Sequence, residues 1–433
     1  MPHKKPITAI IIFVVIVILV MAAAAYWYFL MGPKTAPQTG TNQNTTQNGF
    51  QPIGRNGTGQ NGSQNGTSAN GNGSTGQGNA ANGAMPMPSL RLLSGTPVGG
   101  YGASTTAYGT STIVRWVDRG RGNIYEATYG TSYVTTLSNT VVPKIYGSVW
   151  NKNLTSFIGS VLNDDDSTWT GVYAQLLPQA ATSSQPDVTP FSLHGKKLPD
   201  GVIAYAASPK RDKLFMLVNV NGSGAGYVSS FDGSNAVEIF VTPLTQVNVD
   251  WPNDNIITIA TKGSASYGGF FYSVNPKTGA WTKILGPIPG LSAVMSHDGK
   301  YVLWSETGSG GSGIVTEMRS TAKGTDTDAG ARTLADKCAW GNSNVDTVYC
   351  AVPSSLASGI YPDAWYTGSA LNSDGIWQID ALSGMVKSVS PLVGQADRTI
   401  DAFNLGLDPK DSYLFFMDKY DLSLWSLDLS RAQ

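Results

Sequence analysis

Residues 7–31 carry no charged side chain, and apolar residues follow one another there without the polar gaps of an amphipathic element. An α-helix rises about 1.5 Å per residue and needs about 20 apolar residues to cross the hydrocarbon core, so residues 10–30 predict one membrane-spanning helix. Large apolar side chains then almost vanish over residues 32–88, a tract of Gly, Asn, Thr and Gln. From residue 89 onward the pattern changes again. Short alternating runs rich in β-branched and aromatic residues are separated by Gly, Asn, Asp, Ser and Pro, with no long stretch of helical periodicity. That pattern predicts strands throughout residues 89–433.

One unit recurs in the strand region: a glycine or turn followed by an alternating strand. Copies start at Gly122, Gly171, Gly226, Gly269, Gly313 and Gly375, at intervals of 49, 55, 43, 44 and 62 residues, with a seventh at Leu424. Each is preceded by a further apolar strand, clearest in Ser296-His-Asp-Gly-Lys-Tyr-Val-Leu-Trp304. A period of 40–60 residues holding several strands predicts a β-propeller, whose blades cannot bury both faces alone and therefore stack in a ring. Seven blades fit the spacing best, six or eight remain open, and a pair of sandwiches is the alternative. The seventh unit has room for only three strands before the sequence given stops. Residues 89–94 alternate suitably to supply its outer strand, which would hide two sheet edges.

The run Ser296 to Trp304 resembles the WD-repeat-like unit of TolB-type propellers. The hairpins Asn275-Pro-Lys-Thr-Gly279 and Asp380-Ala-Leu-Ser-Gly384 resemble the second turn of the same unit. The resemblance covers most of residues 89–433 as architecture and is good in three or four copies. Residues 274–281 also partly match the turn of pyrroloquinoline-quinone-type propellers, in one copy of seven, which is too few to imply that cofactor. Because propellers serve many unrelated functions, what the resemblance implies is a scaffold.

Charge decides orientation. His3, Lys4 and Lys5 precede the apolar run and only Lys34 follows closely, which predicts residues 1–6 in the cytoplasm and the rest outside. A cleaved secretory signal ending at the small residues 22–25 is the alternative. Residues 32–88 cannot bury enough surface to offset the entropy of ordering, so they are expected to form a disordered stalk. Asn44, Asn56, Asn61, Asn65 and Asn72 each open an Asn-x-Ser/Thr triplet, a glycosylation acceptor where the host has the machinery. With a formal charge of −1, 13% charged residues and no basic cluster, the chain has no electrostatic footprint for nucleic acid. Cys338 and Cys350 are the only cysteines, and in an exported region they are expected to form a disulfide across a hairpin turn at residues 341–347.

Candidate chemistry is sparse. Three histidines, His3, His194 in an inter-blade loop and His297 in a tight turn, make a His-based triad or a multi-histidine metal site hard to build. No cofactor motif and no sialidase-type Asp box occurs. Two acidic clusters stand out, Asp164, Asp165 and Asp166, and the Asp326-Thr-Asp328 stretch. The second resembles part of a calcium loop but lacks its third ligand and terminal Glu, so an ordinary solvated turn is the expectation for each cluster. The most suggestive feature is an insertion in the sixth unit, residues 353–374, containing Tyr361, Asp363, Trp365 and Tyr366. It joins the second strand to the third, as does the loop holding Asp164, Asp165 and Asp166 and the connection holding Asp118, Arg119 and Arg121. All three are therefore expected on one ring face, where aromatic rings beside carboxylates suit a protein or glycan ligand. Trp365 folding the loop back onto its blade is the rival expectation.

The expected molecule is an all-β, seven-bladed propeller outside a membrane, carried by a single-pass anchor and a stalk, and acting as a protein- or glycan-binding or assembly module. A surface enzyme acting on glycans through acidic residues, and a structural envelope component, are the alternatives.

Overall fold

The alternating runs pair antiparallel, each with the next along the chain, in seven four-stranded sheets. The computed structural model of the chain describes residues 88–106, 109–129, 131, 133–180 and 189–432. All belong to the second of two units into which the chain divides, Asn82–Gln433. Blades 1 to 6 span residues 98–138, 145–197, 202–242, 247–289, 292–328 and 338–390. Blade 7 combines residues 402–428 with 90–94. First strands of neighbouring blades pack beside one another and form the inner ring. The all-β class, the seven blades and the ring closure agree with expectation: Leu90–Ser94 pairs with Leu424–Asp428, Leu90 opposite Leu427 and Leu92 opposite Trp425. No helix among the described residues is long and apolar enough to cross a membrane. The expected anchor at residues 7–31, and the stalk up to residue 87 with its glycosylation triplets, lie outside the described residues.

The second strands of blades 3 and 7 hold continuous apolar runs because neighbouring blades cover both of their faces. Leu214, Phe215, Met216 and Leu217 are all fully buried. Phe215 and Leu217 of blade 3 join one cluster with Trp251, Ile257 and Ile259 of blade 4. Each such side chain contributes about 1.5–3 kcal/mol on burial, so contacts between blades hold the ring. Turns set the spacing. Gly279 takes φ +69, and a Cβ there would lie 1.9 Å from the Ile239 carbonyl oxygen of blade 3. Asp408 Oδ1 accepts from the Ser412 and Tyr413 amides (2.6 and 2.9 Å), while its Oδ2 accepts from Thr112 Oγ1 (2.7 Å), joining blade 7 to blade 1.

Cys338 and Cys350 face each other in the first two strands of blade 6, and the disulfide is formed with Cα atoms 4.1 Å apart. Two expectations need correction. His194 sits in the fourth strand of blade 2, Phe191–Lys197, not in an inter-blade loop. Asp326–Asp328 is the fourth strand of blade 5, not a solvated turn. The Asp326 carboxylate accepts from Arg319 and from Trp304 Nε1, and Asp328 accepts from Arg332 and the Gly330 amide.

Antiparallel order sorts the connections onto two faces. Links from second to third strands, and from blade to blade, emerge on what we call the upper face; the others emerge on the lower face. The blade-6 insertion, between Thr347–Pro353 and Asp374–Asp380, and the blade-2 loop, between Ser156–Leu162 and Trp169–Pro178, are both upper connections, as expected. The closing strand Leu90–Ser94 is antiparallel to Leu424–Asp428 and so runs from the lower face to the upper. Residue 88 therefore lies on the lower face.

Candidate functional site

The blade-6 insertion folds back onto the ring. Tyr361 is 2% exposed and Trp365 4%, which corrects their placement as surface aromatics. The Tyr361 amide donates to the Gly311 carbonyl of blade 5 (3.0 Å), and its hydroxyl donates to Asn372 Oδ1 (3.0 Å). Asp363 Oδ2 accepts the Ala265 amide of blade 4 (2.9 Å), so this carboxylate ties two upper connections together. A short helical turn, Asp363–Tyr366, points Trp365 inward, where its Nε1 donates to both carboxylate oxygens of Asp401 (3.1 Å each). The physical reason is that a buried indole gains its large apolar area only if its N–H finds an acceptor, and Asp401 is that acceptor. Tyr366 is half-buried, and its hydroxyl donates to Asp336.

Under Trp365 lies a buried ion cluster. Lys337 Nζ donates to Asp374 Oδ1 (2.9 Å) and Asp401 Oδ1 (2.7 Å), all three side chains being almost fully excluded from solvent. Asp374 Oδ2 also accepts the Ala402 amide (2.7 Å), and Asp401 Oδ2 the Asn372 amide (2.8 Å). Burial pushes the Asp374 carboxyl up to about 6, against the pull of Lys337. Burial also works against the Lys337 ammonium, but the charges of Asp374 and Asp401 outweigh it and hold its pKa above the ordinary lysine value.

The upper ends of the inner strands and these connections enclose an axial cavity of about 700 Å³, lined among others by Arg119, Tyr146, Asp336, Trp365, Tyr366 and Lys419. Arg119 lies on the Tyr146 ring, 3.5 Å from its centroid. Lys419 lies 4.5 Å from the centroid of Trp365. Burial lowers the pKa of both cations. Asp336 is the carboxylate in this wall; burial raises its pKa, while hydrogen bonds from Tyr366 and Ser292 hold it down. A second cavity of about 830 Å³ opens between blades 2 and 3 and shares Tyr146, Tyr205 and Asn248 with the first. Trp169, 46% exposed, and Tyr146, 40% exposed, meet there edge to face with centroids 4.8 Å apart.

Asp164, Asp165 and Asp166 are exposed on the upper face but line neither cavity. Asp166 pairs with Lys144 (2.7 Å). Asp165 is held at about 2 because the Thr168 hydroxyl, with the Thr168 and Ser167 amides, donates to its carboxylate. The structure thus unites Trp365 and Tyr366 in the cavity wall, turns Tyr361 and Asp363 into struts of the insertion, and leaves the acidic trio apart. Among the described residues no group of three or more His, Cys, Asp or Glu is arranged to hold a metal ion. The exposed pair Tyr146 and Trp169 carries no motif, because each merely opens a strand. Only their position at an upper strand end distinguishes them, and that requires the topology.

No protein-family description matches the chain, and no curated protein matches it in sequence. Among solved structures, an oligogalacturonate lyase in complex with manganese is similar with a TM-score of 0.46 and 9% identity, covering 80% of this chain and 99% of that one. TolB from Acinetobacter baumannii is similar with a TM-score of 0.38 and 12% identity, over 73% of this chain and 63% of that one. A puromycin-hydrolyzing peptidase of Mycobacterium tuberculosis gives 0.43 and 12%, with 73% of this chain and 50% of that one.

Proposed function

We propose that this chain is an extracytoplasmic binding module, held to a membrane by residues 7–31 through the polar stalk, whose propeller captures a protein or glycan ligand on its upper face. The carrying observation is the pair of adjoining upper-face cavities with Tyr146 and Trp169 exposed between them. Exposed rings at a concave surface are what a captured ligand uses as anchors. A glycan-cleaving site of the common two-carboxylate kind would present acidic groups about 5–9.5 Å apart in one cleft. The axial cavity offers Asp336, already engaged by Tyr366, and this favours binding over cleavage.

Two measurements test this reading. Carbonate washing of membranes should leave the full-length chain in the pellet; release, or a mass matching cleavage near Ala24, would replace the anchor with a cleaved signal. Detergent-solubilised full-length protein should bind a ligand on a glycan array or in a peptide-library selection, and Trp169→Ala should weaken that binding at least tenfold. Ligands wholly insensitive to Trp169→Ala and Tyr146→Ala would remove the upper face from consideration.

A further inference from the structure

Arg119 and Lys419, from the upper connections of blades 1 and 7, wall the axial cavity without an ion-pair partner among the described residues. The Arg119 guanidinium rests on the Tyr146 ring and has no carboxylate at ion-pair distance among the described residues. Lys419 rests on Trp365 and Phe403 and likewise makes no ion pair there. The carboxylate whose charge it feels, Asp401, is buried and already engaged by Lys337, Trp365 and Asn372. Both cations are half-buried. They have lost part of their hydration without a compensating charge, which an incoming anionic group would supply.

The rest of the upper face selects among anionic ligands. Val141, Ile203, Val220, Tyr267, Ile360 and Tyr420 are exposed, at 39–78%, and all lie on upper connections or upper strand ends. A sugar ring stacks on flat aromatic faces but gains little from branched aliphatic side chains. A protein surface gains from both, and aromatic anchors beside an arginine are the composition of protein interface cores. Deepening the binding reading above, on which it rests, we propose that the upper face docks a partner protein that presents an acidic side chain to Arg119 and Lys419 with apolar side chains on either side of it. The acidic group supplies the missing charge, and the apolar flanks cover exposed apolar side chains of the same face.

The experiment is a selection of phage-displayed 12-residue peptides on the full-length chain in detergent, with an array of neutral and acidic oligosaccharides probed in parallel. Enriched peptides should carry Asp or Glu next to Leu, Phe, Ile or Tyr. A synthetic peptide of the enriched sequence should bind at least tenfold more weakly to Arg119→Gln and to Lys419→Gln, and to the unaltered chain in 500 mM instead of 50 mM NaCl. Thermal unfolding of the variants, measured alongside, should be unchanged. Enrichment without acidic residues, or acidic peptides that ignore both substitutions, would overturn the proposal. Capture of oligosaccharides alone, sensitive to Trp169→Ala, would overturn the protein partner and leave the binding face standing. If no probe responds to Trp169→Ala, the binding reading itself fails with it.

Discussion

Replacing Lys337 by Met keeps most of the side-chain volume and removes the cation that touches both Asp374 and Asp401. Removing one partner of a buried ion pair costs about 3–5 kcal/mol, because the other charge is left uncompensated. The uncompensated group is chiefly Asp374. Asp401 keeps the Trp365 indole N–H and the Asn372 amide, whereas Asp374 retains the Ala402 amide. Near 60 °C unfolding entropy is about 2.1 cal/mol/K per residue, so over roughly 345 propeller residues this loss lowers the melting temperature by about 4–7 °C. The sign of the pH dependence follows from Asp374, whose folded pKa of about 6 lies above the unfolded value. Its protonation therefore contributes stability that is complete below the unfolded pKa and lost as pH rises through the folded one. Lys337, whose pKa is raised, is charged in both states up to pH 8 and adds no slope there. Without Lys337 the folded pKa of Asp374 rises further, and each unit of that rise returns about 1.4 kcal/mol to the variant on the acid side. Calorimetry with the disulfide intact should therefore show a smaller penalty at pH 5 than at pH 8. Adding Asp374→Asn should recover part of the loss. A penalty below about 1 kcal/mol, or one equal at both pH values, would refute the uncompensated-charge reasoning.

Other substitutions separate support from contact. Trp365→Ala should cost about 3–5 kcal/mol in urea unfolding because it empties a buried site and strips Asp401 of a donor, whereas Trp169→Ala, at an exposed ring, should stay within about 0.5 kcal/mol. Replacing Cys338 and Cys350 by Ser should cost about 2–3 kcal/mol for so short a loop, and unfolded, unreduced native protein should label no thiol; two reactive thiols would refute the bridge. Deleting residues 90–94 removes buried Leu90 and Leu93 and bares the edge of Leu424–Asp428, so size-exclusion should show aggregates; an unchanged monomer would show that ring closure does not depend on this strand.

The architecture was legible because a propeller repeats one local solution. Glycine spacing marked the blades, the unbroken apolar text of strands such as 214–217 marked burial on both faces, and alternation in residues 89–94 marked a strand with no neighbour in sequence. The disulfide was legible for the same reason, since Cys338 and Cys350 are placed opposite by one hairpin. The site was not. Trp365 in an insertion reads alike whether its ring meets solvent or a buried carboxylate, and Asp401, which decides the matter, is 36 residues away on another blade. Arg119, Tyr146 and Lys419 of the axial cavity come from blades 1, 2 and 7. Ring closure brings residues so far apart in the chain to one axial mouth.

Trp365 links the two levels. Its N–H is spent on Asp401, and its ring face carries Lys419, so the buried cluster fixes the ring and the ring places a cation in the cavity wall. The same insertion is pinned to blade 4 through Asp363, to blade 5 through Tyr361 and to blade 7 through Trp365. A surface insertion bound at three blades loses little conformational freedom when a ligand arrives, because its ordering cost was met on folding. Three residues that stand out in the sequence as a binding patch thus act one layer below it: Tyr361, Asp363 and Trp365 hold rigid the ring face on which Lys419 rests in the cavity wall.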